Sequence, residues 1–489
     1  MSQSLPPIQR LGPAISGLDT LRVPNPSHPP RTVLKREKRP LLGLIERLRA
    51  VATNPLRLFV ESHRQSRGGP FALRIPFNFD LTFLPGKAGY RFVLGLPPET
   101  GKMGPVMKRV PTVGSWYPRS DSSAEHLQDL LISARSFMAK HIFTRNRIRD
   151  AEASVQTVLQ RHSQRWEGSH LDLTPLLMDA IYDISAEFVV GADLWGRIAH
   201  QVSPLLRDIA EGVDISRTAI CHTPLLFFTK EYRATRKLTK VLDEVLAEHD
   251  QSGRFPILSA LDSLPLSQGL LRPEDRGWML MYLLWNAVTY LGPYCVWATL
   301  DVMSRPAVLR AVRERDTMQF VEHCMFETLR GSPVSSLVRH TDEPLNFEHE
   351  GKNYTIPAGG YVGTLVWALH QNAETYEAPE TYDPWRYERG EPIPSAFGRG
   401  AFGCVATRFI RTVMTNIITF MADRYDLTFE SSLPEKVVRI HLLAPHSPIR
   451  AQVTRRPEVA ETHDERPEPA HIASQPISKC PFHQLFQRS

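Results

Sequence analysis

The chain has 489 residues, 42% hydrophobic and 22% charged, the balance of a globular protein long enough to bury a large core. A formal net charge of +6, with no concentrated lysine and arginine block interleaved with aromatics, gives no footing for nucleic-acid binding. Five scattered cysteines (Cys221, Cys295, Cys324, Cys404, Cys480) without a C-x-x-C pair exclude a disulfide framework and a zinc set, and favour a reducing, intracellular compartment.

Residues 1–39 are rich in proline (Pro6, Pro7, Pro13, Pro24, Pro26, Pro29, Pro30) and are expected to be flexible, with no apolar run of anchor length. Leu41, Leu44, Ile45, Leu48 and Val51 then recur at helical spacing beside Lys and Arg, as on a membrane surface or the outer layer of a core. "FALRI", "DLTFLPG" and "YRFVLG", within residues 71 to 95, read as short strands. From Ser122 to His249 the pattern is helical.

A long helix is predicted from Glu274 to Met303, and Gly277 through Leu300 carries no charge, enough to span a bilayer. Asn286, Thr289 and the Gly292-Pro293 interruption at its middle favour instead a helix through the centre of a soluble domain, broken where a ligand approaches backbone. "MQFVEHCMFETLRG" reads as helix, and "EPLNFEHEGKNYTIPAGGYV" as strand–turn–strand. Coil dense in Pro and Gly leads to a helix from Cys404 to Tyr425 and to closing strands near "YDLTFE" and "VVRIHLL". Residues 455–489 are expected to be a disordered polar tail. The sum is a mainly α (α+β) chain, one domain over 40–454 with a small segregated sheet.

Cys404 closes a glycine-rich loop, "SAFGRGAFGCVA". Most free cysteines are buried structural residues. Here Gly398, Gly400 and Gly403 permit unusual backbone angles and remove bulk, so another body can approach the main chain. The helix that follows puts the sulfur near free N–H groups, which favour thiolate. A thiolate on a cleared surface suits a metal or a flat cofactor.

"FGRGAFGCVA" resembles the haem-thiolate loop of cytochrome P450 enzymes, F-x-x-G-x-(R/H)-x-C-x-G, through Phe397, Gly400 and Cys404. Phe402 stands where that family has a basic residue for a haem propionate, and Ala406 replaces the final glycine. The family's E-x-x-R is satisfied by Glu46/Arg49, Glu61/Arg64 and Glu327/Arg330, and motif order selects the last. "PETYDPWRYERG" is similar to its P-E-x-F-x-P-x-R-F segment and supplies Arg386. The resemblance, over residues 55 to 450, implies a single-domain P450 fold, haem b with Cys404 as axial ligand, and a buried network of Glu327, Arg330 and Arg386 under the cysteine loop. It also implies a propionate contact at Arg339, whose alternative is a solvated charge.

Where the family has (A/G)-G-x-(D/E)-T, this chain has "WNAVTYLGPYCVW". Matching Gly292-Pro293-x-x-x-Trp297 to relatives similar to prostacyclin synthase and the sterol 7- and 12-hydroxylases puts Tyr290 at the threonine and Thr289 at the acid. Tyr290 is then a proton donor near iron or a filler of the pocket. No W-x-x-x-R is clear upstream. The resemblance implies a monooxygenase of a small, bulky hydrophobic metabolite in specialised biosynthesis, fed by an NADPH-dependent P450 reductase. Two other readings stay open: an oxygen-independent isomerase or dehydratase acting on a peroxide, and a non-enzymatic haem-binding protein, suggested by Cys480-Pro481. A monomer, cytosolic or peripheral on the endoplasmic reticulum, is expected.

Overall fold

The computed structural model describes residues 18–21, 31–34, 66, 69–74, 80–109, 123–212, 224–252, 255–266, 269–315, 317–332, 336–434, 436–439, 442–445 and 447–457. The Leu41 to Val51 repeat, the other two E-x-x-R pairs, Cys480-Pro481 and all but the start of the polar tail lie outside them, as does the side chain of Phe402.

Helices dominate the described chain, and several start on a residue that answers an open backbone N–H. The Ser123 hydroxyl accepts from the His126 N–H ahead of Ala124–Phe137, and Thr144 accepts from Arg147 ahead of Arg145–Ser163. Asp172 does the same for Thr174 ahead of Leu173–Val190.

Gly86–Gly95 is a helix, not the strand expected for "YRFVLG". Tyr90, Val93 and Leu94 are buried three and four positions apart, the helical repeat. Gly89 lets the helix lie on the Leu84 backbone, where a Cβ would come within 2.5 Å. Six residues of mixed pattern were too few to separate a period of two from one of 3.6.

The uncharged segment forms two helices, Arg276–Thr289 and Leu291–Met303, meeting at Tyr290. Pro293 accounts for the break, since it has no N–H for the Thr289 carbonyl four residues earlier. Gly292 serves the packing: a Cβ there would stand 2.7 Å from Met178 Sδ on Leu173–Val190. Leu291–Met303 is buried along almost its whole length, packed against Leu173–Val190, Met318–Gly331 and Thr407–Arg424. That is the environment an all-round apolar helix requires. No helix among the described residues is long and apolar enough to cross a membrane.

One sheet is six-stranded, in the order Leu18–Leu21, Arg31–Leu34, Phe71–Arg74, Asp80–Phe83, Tyr361–Leu365, Ser336–His340. Its first two strands fall within the proline-rich segment 1–39. Tyr361–Leu365 runs parallel to Asp80–Phe83 and antiparallel to Ser336–His340, with Val362 opposite Arg339, which fixes that arginine's place. The strand–turn–strand segment is the antiparallel pair Leu345–His349 and Lys352–Ile356. Its two-residue turn, Glu350 and Gly351, has φ of 50° and 71°, the twist a tight hairpin needs. A three-stranded sheet joins Tyr425–Phe429, Arg450–Arg455 and Gly168–Asp172.

Asp301, the only charged residue in Leu291–Met303, is 1% exposed. It accepts from Thr328 Oγ1 at 2.9 Å, Lys436 Nζ at 2.6 Å and Arg305 Nη1 at 3.0 Å. Removing a hydrogen-bonded buried charge strands its partners, so Asp301→Leu is expected to cost roughly 3 kcal/mol in urea denaturation. An unchanged midpoint would mean that Lys436 and Arg305 simply turn to water.

Candidate functional site

The loop that carries Cys404 folds back on itself. The Cys404 N–H donates to the Phe397 carbonyl at 2.7 Å, and the Gly403 N–H to the Gly400 carbonyl at 3.1 Å. Gly400 has φ 68°, the left-handed region that favours glycine. A Cβ at this position would also stand 2.3 Å from the Leu94 carbonyl oxygen at the end of Gly86–Gly95. The body that this glycine admits is therefore the protein's own helix. Phe397 packs, half-buried, against the main core. Thr407–Arg424 begins three residues beyond Cys404, with Ala406 at its N-cap, and the Thr407 hydroxyl donates to the Cys404 carbonyl at 2.9 Å.

The Cys404 side chain opens onto a cavity whose other walls include Met103, Arg135, Tyr282, Asn286 and Tyr290. The cavity lies deep in the fold, so burial pushes the thiol up. The Ala406 amide, the Thr407 hydroxyl and the Arg135 charge pull the other way. The helix start thus acts on the sulfur as its position predicts, but desolvation outweighs it. Thr289 is 1% exposed and is not part of this wall; its hydroxyl faces Tyr182. Tyr290 is on the wall, and burial holds its hydroxyl far above the usual tyrosine range, hence protonated.

Two guanidinium groups converge here. Arg339 is 2% exposed and its Nη1 donates to the Val338 carbonyl at 2.8 Å and meets Met103 Sδ at 2.9 Å, just behind the cavity wall. Burial first, then the charge of Arg135, pulls the Arg339 pKa down to about 10. Arg135 is likewise lowered by burial. Two cations that disfavour each other beside one cavity call for anionic groups between them.

A buried carboxylate organises the coil that precedes the loop in sequence. Glu327, on Met318–Gly331, is fully buried and accepts from Arg330 Nε at 2.9 Å and Nη2 at 2.7 Å, Arg386 Nε at 3.2 Å, the Tyr387 hydroxyl at 2.9 Å and the Asp383 N–H at 3.0 Å. Arg330 and Arg386, each 1% exposed, spend their other donors on the coil that precedes the cysteine loop. Arg330 binds the carbonyls of His370 and Pro379, and Arg386 those of Glu377 and Thr381. Arg386 also donates to Glu391 at 2.7 Å.

A family model described as Cytochrome P450 matches residues 308–453, the stretch that contains Glu327, Arg330, Arg386 and Cys404. The fold is that of the retinoic acid bound cyanobacterial CYP120A1, with a TM-score of 0.68, 18% identity, and coverage of 81% of this chain and 94% of that one. The chain belongs to the cytochrome P450 superfamily. Among curated P450 relatives, abscisic acid 8'-hydroxylase 1 of Arabidopsis thaliana is 23% identical over 60% of this chain and 64% of its own length. Geissoschizine oxidase of Alstonia scholaris is 29% identical over 22% and 26%. The 24-hydroxycholesterol 7-alpha-hydroxylase of Homo sapiens is 23% identical over 34% and 40%. In each case the match spans less than two thirds of the relative.

The residues present fit the haem of a P450: a cysteine sulfur facing a cavity, and a buried and a half-buried arginine, Arg339 and Arg135, where paired carboxylates would be neutralised. Arg135, Tyr282 and Asn286 were not singled out as site residues by motif reading. Arg135 follows no W-x-x-x-R, but Tyr282, Asn286 and Tyr290 show a spacing of four on an otherwise apolar helix, a signal the sequence does carry.

Glu327→Ala should strand two arginines in a dry interior at a cost of about 3–5 kcal/mol. The expected outcome is aggregated or haem-free protein on expression, and soluble holoprotein in normal yield would refute that dependence.

Proposed function

We propose that this P450 is a haem-thiolate monooxygenase that oxidises a bulky hydrophobic metabolite in specialised biosynthesis, with electrons from an NADPH-dependent reductase. The observation that carries the reading is the opening of the Cys404 sulfur onto a cavity flanked by Arg135 and Arg339. When bound there, haem would supply thiolate-assisted activation of oxygen. The chain's own residues hold and shape the site. Cys404 would hold the haem iron through its sulfur, from a loop pinned by its N–H to Phe397, with Gly400 setting that loop against the Leu94 carbonyl. Arg339 and Arg135 would hold the haem carboxylates. Tyr290, kept protonated, offers a hydroxyl donor from the junction of the two central helices, whereas Thr289 faces Tyr182 and lies off this wall.

The activities for which the relatives are named, a geissoschizine oxidase and hydroxylases of abscisic acid and 24-hydroxycholesterol, support oxidation of a lipophilic substrate. Exposed Leu225, Phe227 and Phe228 in the short turn Pro224–Phe228 suit peripheral contact with an endoplasmic reticulum membrane.

Purified holoprotein, reductase and a lipophilic extract of the native host under isotopically labelled oxygen gas should give a labelled product that disappears without reductase. An unlabelled product formed without reductase or oxygen would make the protein an isomerase or dehydratase. Cys404→Ala should abolish the thiolate-type reduced carbon monoxide spectrum, and an unchanged spectrum would refute Cys404 as ligand. In Tyr290→Phe, retained turnover assigns the ring to packing, whereas a selective loss of rate assigns the hydroxyl to proton transfer.

A further inference from the structure

Tyr282, Asn286 and Tyr290 stand four residues apart on Arg276–Thr289 and its junction, so one helical face brings all three to the cavity. Around them the wall is apolar, through Met107, Leu131, Ala287 and Leu291. A polar side chain on such a wall costs free energy unless a partner answers it. Asn286 is the short, fixed member of the three. Its Nδ2 donates to the Tyr282 carbonyl at 2.7 Å, and because only the nitrogen end can face a carbonyl, the orientation of the carboxamide is settled. A carboxamide has two donor hydrogens and two acceptor lone pairs, so Tyr282 does not exhaust it.

We propose that Asn286 is a substrate-positioning residue whose carboxamide hydrogen-bonds a hydroxyl group on an otherwise apolar substrate; the inference rests on the haem-thiolate reading above. A hydroxyl both donates and accepts, so it can pair with whichever edge of the amide it meets. Asn286 is the carboxamide among the few polar groups on this mostly apolar wall, and it discriminates between a hydroxylated molecule and its hydrocarbon analogue because the analogue leaves the amide unanswered. The same contact fixes which part of the apolar body lies nearest the sulfur side of the cavity, so Asn286 governs the position of oxidation as well as affinity.

The test uses full-length holoprotein, its haem content measured as the pyridine haemochrome, and two probes of matched shape, 2-adamantanol and 2-methyladamantane. Calorimetric titration reads both affinities without depending on a haem spectrum. The wild type should favour the alcohol. Asn286→Leu, of similar volume, should lower the alcohol-to-hydrocarbon affinity ratio about threefold to tenfold while leaving hydrocarbon binding intact. Asn286→Ala should lower the same ratio and carries the reading if the leucine variant does not load haem. An unchanged ratio in either loaded variant, or a wild type that does not favour the alcohol, overturns the assignment. Wild-type protein that purifies without haem overturns the haem-thiolate reading instead, and the calorimetric ratio still judges Asn286.

Discussion

The buried carboxylate of Glu327 is the interaction on which the order of the coil leading to the cysteine loop rests. A fully desolvated anion is tolerable only with cations and donors on every side, and here Arg330, Arg386, Tyr387 and the Asp383 amide provide them. The two arginines in turn bind carbonyls of the coil from His370 to Thr381. A stretch that has hardly any regular secondary structure is thereby ordered from below, with charge and hydrogen bonds standing in for the ladder that a sheet would give it. The cysteine loop follows directly from this ordered coil.

The second constraint is the central helix pair. Its apolar surface demands burial on all sides, and Pro293 and Gly292 decide where it opens and how closely Leu173–Val190 approaches. The break brings Tyr290 to the cavity and leaves Thr289 against Tyr182. Neighbouring residues on a helix point about 100° apart, which lets Tyr290 line the cavity while Thr289 turns to Tyr182.

Much of this was legible in the sequence because the signals were long or ordered. The E-x-x-R helix, the hairpin around Glu350-Gly351, the buried central segment and the helix after Cys404 all rest on periodicity or turn chemistry that local sequence decides. Gly86–Gly95 was not legible: its six decisive residues fit a strand as well as a helix, and the contact that settles the matter, Gly89 on Leu84, is tertiary. Arg135 stayed hidden for a related reason. Nothing in "SARSF" marks it, and it acquires meaning only from the approach of Arg339 and Cys404, which are more than 200 residues away in sequence. The sulfur's electrostatics were half legible, since the helix start could be read but the depth of the cavity could not.

Gly400 meeting the Leu94 carbonyl has a consequence for how this chain can change. The cysteine loop and Gly86–Gly95 share one surface, although they are some 300 residues apart in sequence. A loop transplanted from another P450 would arrive without the helix end it was shaped against, and a longer or shorter Gly86–Gly95 helix would displace the loop. The two segments are therefore a single unit of inheritance and of engineering: chimaeras should carry both or neither.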